Sequence, residues 1–453
     1  MNQNDLTHTA VTQESVLASF LKLIPQQPAV GEKQRQGDFT RQRKLPFARL
    51  ILFILSLCGK GHQEGVDIHA GSFFRNARRS GLWPEAQAIH RSAFSKARQK
   101  VPWETFQALL NRAVALAYSL WPPSPQYTWK GLSAFATDGS KYTLPATAEL
   151  RAAFDPHSGL DEEGKGHYPQ ALVSTLYDVF GRLPIARTIV SPRESQRQQV
   201  ARLLPFLPPQ SVWLFDCGYP SYELPRLLLK QTGRYFLMRC RASQTFPAVE
   251  EFIASGKPEA LLWIMPSNQA RAKLSPRQRK RLKALSVRAI RLESPQGTLS
   301  VLLTNLFNHR EFPRQEIITL YFRRWEIEGA YRDEKVTLEI EHFHSKTAHG
   351  SRQELFAVMI MSVMARTLMM STQQHLWPDE QESQFKNAIL TLASEAFVLL
   401  PEDPQRALSI FAELLDEIAR VKYYRPASPR PTQPRMNKSP PNKWSLKNRK
   451  QAA

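Results

Sequence analysis

A run of four apolar residues, Val212-Trp213-Leu214-Phe215, stops on a carboxylate, Asp216. A short apolar run without alternation reads as a strand buried on both faces, the kind found inside an α/β sheet. An acid at the end of such a strand is costly unless a cation or a hydrogen-bond donor compensates it. The pattern occurs twice. Leu132 to Asp138 reads as a strand that also ends on an acid, within Phe135-Ala136-Thr137-Asp138-Gly139-Ser140. Further strands are predicted over Ala171 to Asp178, Leu183 to Val190 after a turn at Phe180-Gly181-Arg182, and Tyr235 to Cys240. Glu194 to Leu207 has helical periodicity, and Glu194-Ser195-Gln196-Arg197 reads as a capped helix start or as a DNA contact.

The charge balance narrows the function. Sixty-one Lys and Arg against 40 Asp and Glu give a formal net charge of +21. A surface so basic suits a polyanion, with nucleic acid the first candidate and an anionic membrane surface the alternative. A two-carboxylate glycosidase fits that charge poorly. Three dispersed cysteines, Cys58, Cys217 and Cys240, argue against a disulfide scaffold and a structural zinc site. The polar N-terminus does not read as a signal peptide. The longest apolar run, Leu45 to Cys58, contains Arg49 and is shorter than the ~20 residues a membrane span needs. A cytoplasmic protein without membrane association is expected.

Six segments are predicted. Residues 1–125 form a helical domain that holds the apolar helix from Leu45 and a helix over Trp103 to Leu120, closed by Pro122-Pro123. Within it, Gly71 to Lys100 carries seven basic residues against one acid. Arg91, Lys96 and Arg98 have the helical spacing of a short element in a DNA groove, or equally of a solvated basic face. Residues 126–240 form the first part of an α/β core, 241–303 a β-rich insertion with a basic stretch over Arg271 to Arg291, and 304–375 the second part of the core. Helices follow over 376–422, then a proline-rich basic tail over 423–453, expected to be disordered.

The most specific pattern lies in a predicted helix over Glu311 to His344. Tyr321, Arg324, Glu328 and Lys335 form Tyr-x2-Arg-x3-Glu-x6-Lys. At about 100° and 1.5 Å per residue the four fall within a ~60° arc, one stripe about 21 Å long. The carboxylate can hold metal, the cations can hold flanking phosphates, and the ring can stack or hydrogen-bond. Trp325 and Ile327 leave the stripe and can anchor the helix to a core. Taken singly, each acid has a simpler reading: the aspartates as turn formers or caps, and Glu328 as the i+4 ion-pair partner of Arg324.

Together these residues resemble the cut-and-paste DDE transposases of bacterial insertion sequences that carry the Tyr-Arg-Glu-Lys signature. Asp138 in Thr-Asp-Gly-Ser, Asp216 in Phe-Asp-Cys-Gly-Tyr, Thr304-Asn305-Leu306 and the basic Ala93–Arg98 stretch look like that family's other blocks. The resemblance covers roughly residues 35 to 375. It implies a ribonuclease-H-like core in which Asp138, Asp216 and Glu328 bind two Mg²⁺ ions, with Mn²⁺ able to substitute. The 112 residues from Asp216 to Glu328 would hold the β-rich insertion. By the same resemblance Tyr321, Arg324 and Lys335 bind DNA at the cleavage site and around a flipped base. The motifs do not locate the base-stacking aromatic, for which Trp263 is one candidate. The N-terminal basic helices would recognise terminal inverted repeats on double-stranded DNA. A synaptic homodimer is implied, with helices near 376–420 at the interface, in a bacterial cytoplasm and on the nucleoid when DNA-bound. A metal-dependent nuclease that does not join ends, and a non-catalytic repressor, are the rival readings.

Overall fold

The computed structural model describes residues 12–29, 35, 37–40, 44–59, 65–122, 124–158, 167–266, 271–272, 275–280, 282–294, 297–373 and 381–424. The tail, apart from Tyr423 and Tyr424 in a short strand, lies outside the described residues, as does part of the Arg271–Arg291 stretch. The chain divides into two compact units. One comprises Met1–Pro122, Tyr142–Ala171 and Arg332–Ala453, and the other Pro123–Lys141 and Leu172–Tyr331.

The first unit is mainly helical. The apolar run from Leu45 becomes the helix Phe47–Ser56, in which every side chain except Arg49 is buried. Phe53 centres an aromatic cluster, stacked on His69 at 5.4 Å and edge-on to Phe94 at 5.0 Å. Early and late helices, placed in separate segments on sequence grounds, share this core. Trp83 Nε1 donates to the Leu400 carbonyl at 2.6 Å, and the rings of Phe73 and Phe397 lie 5.8 Å apart. Periodicity shows which face of a helix is buried, but not against what. The helix Ala348–Gln373 is long and apolar enough to cross a membrane by length and composition, yet most of its side chains are buried within the unit.

The second unit holds most of an eight-stranded sheet in the order β3-β2-β1-β4-β5-β8-β7-β6. Its strands are β1 (Ser133–Thr143), β2 (Gln170–Asp178), β3 (Leu183–Val190), β4 (Ser211–Phe215), β5 (Arg234–Arg241), β6 (Glu259–Ile264), β7 (Leu285–Glu293) and β8 (Leu299–Thr304). β4 is buried along its whole length between β1 and β5, both parallel to it, as the unbroken apolar run requires. β1 does not stop at Asp138 but continues for five residues to Thr143. The 241–303 segment builds no separate β body. β8 pairs antiparallel with β5, β7 with β8 and β6 with β7, so its strands extend the same sheet. β6 is the edge, and its outward residues Leu261 and Trp263 are exposed.

The predicted helix over Glu311 to His344 is shorter and segmented. It starts at Arg314 after Pro313, runs as α-helix to Phe322, tightens to a 3₁₀ turn at Arg323–Trp325, resumes over Glu326–Arg332 and ends in a π turn over Asp333–Thr337. A uniform 100° step therefore does not hold from Tyr321 to Lys335. Ile327 is fully buried and anchors the helix as expected, whereas Trp325 is 47% exposed and does not. Its ring instead lies 5.2 Å from the Arg324 guanidinium.

Candidate active site

The parallel register of β1 and β4 pairs Thr137 with Phe215, so the next residue on each strand is an acid: Asp138 beside Asp216. The pairing is tied internally by Trp213 Nε1, which donates to Thr137 Oγ1 at 2.7 Å. Glu328 comes from the helix Glu326–Arg332, and one turn later Tyr331 donates from its hydroxyl to the Asp138 carbonyl at 2.7 Å. That hydroxyl also accepts from Thr175 N–H at 3.1 Å. The tyrosine fastens the Glu328 helix to the backbone of the first acid.

Each acid has a local partner. Asp138 Oδ1 accepts from Gly139 N–H and Asp216 Oδ1 from Gly218 N–H, both at 2.8 Å. Glu328 Oε1 accepts from Arg324 Nη2 at 2.9 Å. The helix Gln196–Leu203 touches both aspartate turns: Gln196 Nε2 donates to the Gly139 carbonyl at 3.3 Å and Arg197 Nε to the Gly218 carbonyl at 3.0 Å. Its start is a capping box of Ser195 and Gln198, so the reading of 194–197 as a capped helix start is correct. Adding a Cβ at Gly139 would bring it 2.6 Å from the Gln196 side chain, which explains the small residue there.

Burial pushes Asp138 up from 3.8 to about 6. Its Gly139 hydrogen bond opposes the rise, the Asp216 charge adds to it, Arg324 opposes it and Glu328 adds to it. Three mutually repelling carboxylates in a half-buried place are a donor set for hard divalent cations, which take oxygen ligands. Among the described residues, no three His, Cys, Asp or Glu side chains stand in a metal-ligating arrangement. The two aspartates are turned onto their own turns and Glu328 onto Arg324. The chemistry of the donor set fits the ions, and each carboxylate uses one oxygen on its present partner.

Tyr321 and Arg324 lie in the same unit as the acids, but not as an open face. Tyr321 is 2% exposed and its phenol is pushed up by burial to about 12, so its ring is not available to stack on a base. Arg324 is 5% exposed, and among the described residues its Nε has no hydrogen-bond partner. Lys335 belongs to the other unit, where its Nζ lies 4.6 Å from the Tyr142 ring and 3.8 Å from Glu341.

The N-terminal basic helix, Arg91–Arg98, is only partly as expected. Arg91 and Lys96 are exposed. Arg98 is buried and cannot meet DNA: it donates to Glu354 at 2.9 Å, to Gln353 at 3.0 Å and to the Gly350 carbonyl at 3.0 Å. The reason is helical geometry, since Arg98 lies four residues after buried Phe94 on the inward face. Sequence reasoning also missed Tyr331 and Gln196, whose partners lie on other strands, and Tyr219, whose burial beside the Asp216 turn no local pattern shows.

Comparison with known proteins identifies the family of the chain. The profile described as Transposase DDE domain matches residues 131–364. Transposase InsG for insertion sequence element IS4 of Escherichia coli strain K12 is 27% identical over 297 residues, which is 64% of this chain, and the chain spans 64% of that relative's length. A piggyBac transposase synaptic complex with hairpin DNA aligns at TM-score 0.41 and 10% identity, over 89% of this chain and 81% of that one. The domain match takes in Asp138, Asp216, the helix carrying Glu328 and more than half of the residues, and on that ground the chain belongs to the Transposase DDE domain family.

Proposed function

We propose that this protein is an insertion-sequence transposase of the Tyr-Arg-Glu-Lys group, which binds the inverted ends of its element, cuts them and joins the freed 3′-OH ends to target DNA. The observation that carries the reading is the β1–β4 register, which sets Asp138 beside Asp216, together with the Tyr331 hydrogen bond that ties the Glu328 helix to the Asp138 backbone. The mixed sheet, with parallel β1, β4 and β5 and an antiparallel β2–β3 hairpin, supports a ribonuclease-H-like core. The match to an insertion-sequence transposase supports the substrate class.

In this reading the three carboxylates hold two Mg²⁺ ions, or Mn²⁺ in their place. Such ions activate a water or 3′-OH nucleophile and stabilise the leaving 3′-oxygen. Arg324, inside the site with an Nε that has no hydrogen-bond partner among the described residues, carries a phosphate flanking the scissile bond once Glu328 releases it. Tyr321 acts through Arg324 rather than by stacking. Lys335, Arg91 and Lys96 add phosphate contacts that hold the end in place. Trp263, 61% exposed on β6, is available as a stacking surface. One set of acids per DNA end calls for two protomers, hence a synaptic homodimer.

The test uses the DNA flanking the gene. Purified protein is incubated with a labelled element end and Mg²⁺, beside Glu328→Ala, and products are resolved on native and denaturing gels. Double-strand release with a hairpinned element end, absent from the variant, is the expected result. Specific binding without cleavage in either Mg²⁺ or Mn²⁺ would overturn the catalytic reading in favour of a repressor, and cleavage without joined products would leave a nuclease.

A further inference from the structure

We propose that the hydroxyl of Tyr219 is a positioning group for Asp138, the donor that orients this carboxylate for divalent ions. The inference rests on the reading of Asp138, Asp216 and Glu328 as the metal-binding acids.

Tyr219 is fully buried, and its hydroxyl has no hydrogen-bond partner among the described residues. A buried hydroxyl left without a partner is unfavourable and uncommon in native proteins, so it calls for an explanation. The place of the side chain is well determined. Tyr219 closes the turn that begins at Asp216, with its N–H donating to the Asp216 carbonyl at 3.3 Å and Gly218 N–H donating to Asp216 Oδ1. Its ring packs on Phe215, with centroids 5.3 Å apart. The β1–β4 register sets Asp138 beside Asp216 and so beside the turn that Tyr219 closes. Burial first, and then the Asp138 charge, holds the phenol well above its ordinary value. Among the described residues Arg324 Nε is a second buried donor without a hydrogen-bond partner, so two donors around the same acids are held in reserve.

Asp138 is the acceptor that matches. Its backbone is held by the Tyr331 hydroxyl at 2.7 Å, which leaves the carboxylate as the movable part. That carboxylate now engages its own Gly139 N–H. When Asp138 turns toward the ions, the Tyr219 hydroxyl donates to one oxygen and leaves the other to ligate. A donor in this role sets the rotamer of the ligand and lowers the cost of holding three charges together. The two tyrosines thus divide the work: Tyr331 places the backbone of Asp138 and Tyr219 its side chain.

The experiment compares full-length wild type, Tyr219→Phe and Asp138→Asn. Binding of Mn²⁺ alone is followed by electron paramagnetic resonance of the free ion, and urea unfolding is measured in EDTA. Tyr219→Phe should weaken Mn²⁺ binding about tenfold while its unfolding midpoint in EDTA stays equal to or above that of wild type, because the hydroxyl has no partner to forfeit. Unchanged Mn²⁺ affinity in Tyr219→Phe, with Asp138→Asn weakened, would overturn the role of Tyr219 and leave the acids standing. If Asp138→Asn also binds Mn²⁺ like wild type, both readings fall. A lower midpoint for Tyr219→Phe in EDTA would show a structural partner for the hydroxyl and overturn the proposal as well.

Discussion

Replacing Asp138 by Asn should stabilise the metal-free protein, although it removes a residue of the candidate active site. The folded protein holds this carboxyl at about 6 against 3.8 for a free side chain. Between those two values the folded state binds more protons than the unfolded state, so stability falls as pH rises through that window. The full cost is present above about pH 6, and below about pH 4 it is absent because both states are protonated. At 1.36 kcal/mol per decade the cost has a ceiling of ~3 kcal/mol. The carboxyl keeps some contact with solvent, which reduces this to about 1–2 kcal/mol. Asn preserves an oxygen for the Gly139 N–H, which donates to Asp138 Oδ1 at 2.8 Å, so the turn is kept. Urea unfolding in EDTA at pH 7.5, followed by circular dichroism, should therefore give Asp138→Asn the higher midpoint, with the gap closing toward pH 4. Added Mg²⁺ should raise the wild-type midpoint and leave the variant's nearly unmoved. A variant equal to or less stable than wild type at pH 7.5, or a gap that ignores pH, would refute the claim that Asp138 is held at an electrostatic cost.

Arg98→Ala should destabilise the protein by about 3–5 kcal/mol, because it leaves Glu354 buried without its cation; denaturant unfolding checks this, and the DNA-binding salt slope of the surviving folded fraction should match wild type. The exposed pair Arg91→Ala and Lys96→Ala should behave oppositely, with an unchanged unfolding midpoint and a shallower dependence of log K on log salt, by about 1 for each phosphate that is no longer neutralised, read by fluorescence anisotropy on a duplex.

Much of the fold was legible because its signals are local. The buried run Val212–Phe215 needed only its own four side chains to announce a central strand, and the capping box at Ser195 is written within four residues. The two aspartates stood out because an acid beside such a strand is physically unusual. The helix carrying Glu328 was recognisable by spacing, although its 3₁₀ and π turns were not, since a change of helical pitch depends on what the helix packs against. Arg98 and Tyr321 show where local reading fails. One looks like a groove-facing cation and the other like a ring free to stack, and both are buried, Arg98 against Glu354 from far along the chain.

The sequence alone thus determined the residue types, the strands that carry Asp138 and Asp216, and the chemistry a cluster of acids in a basic chain is suited to. Tertiary structure decided the rest. The β1–β4 register sets the two aspartates side by side, and Tyr331 binds the Glu328 helix to Asp138 across 193 residues of sequence. The 241–303 strands joined the main sheet because β8 found the free edge of β5. Register, edge pairing and the burial of a polar atom depend on which distant segments meet, and no local pattern encodes which distant segment will arrive.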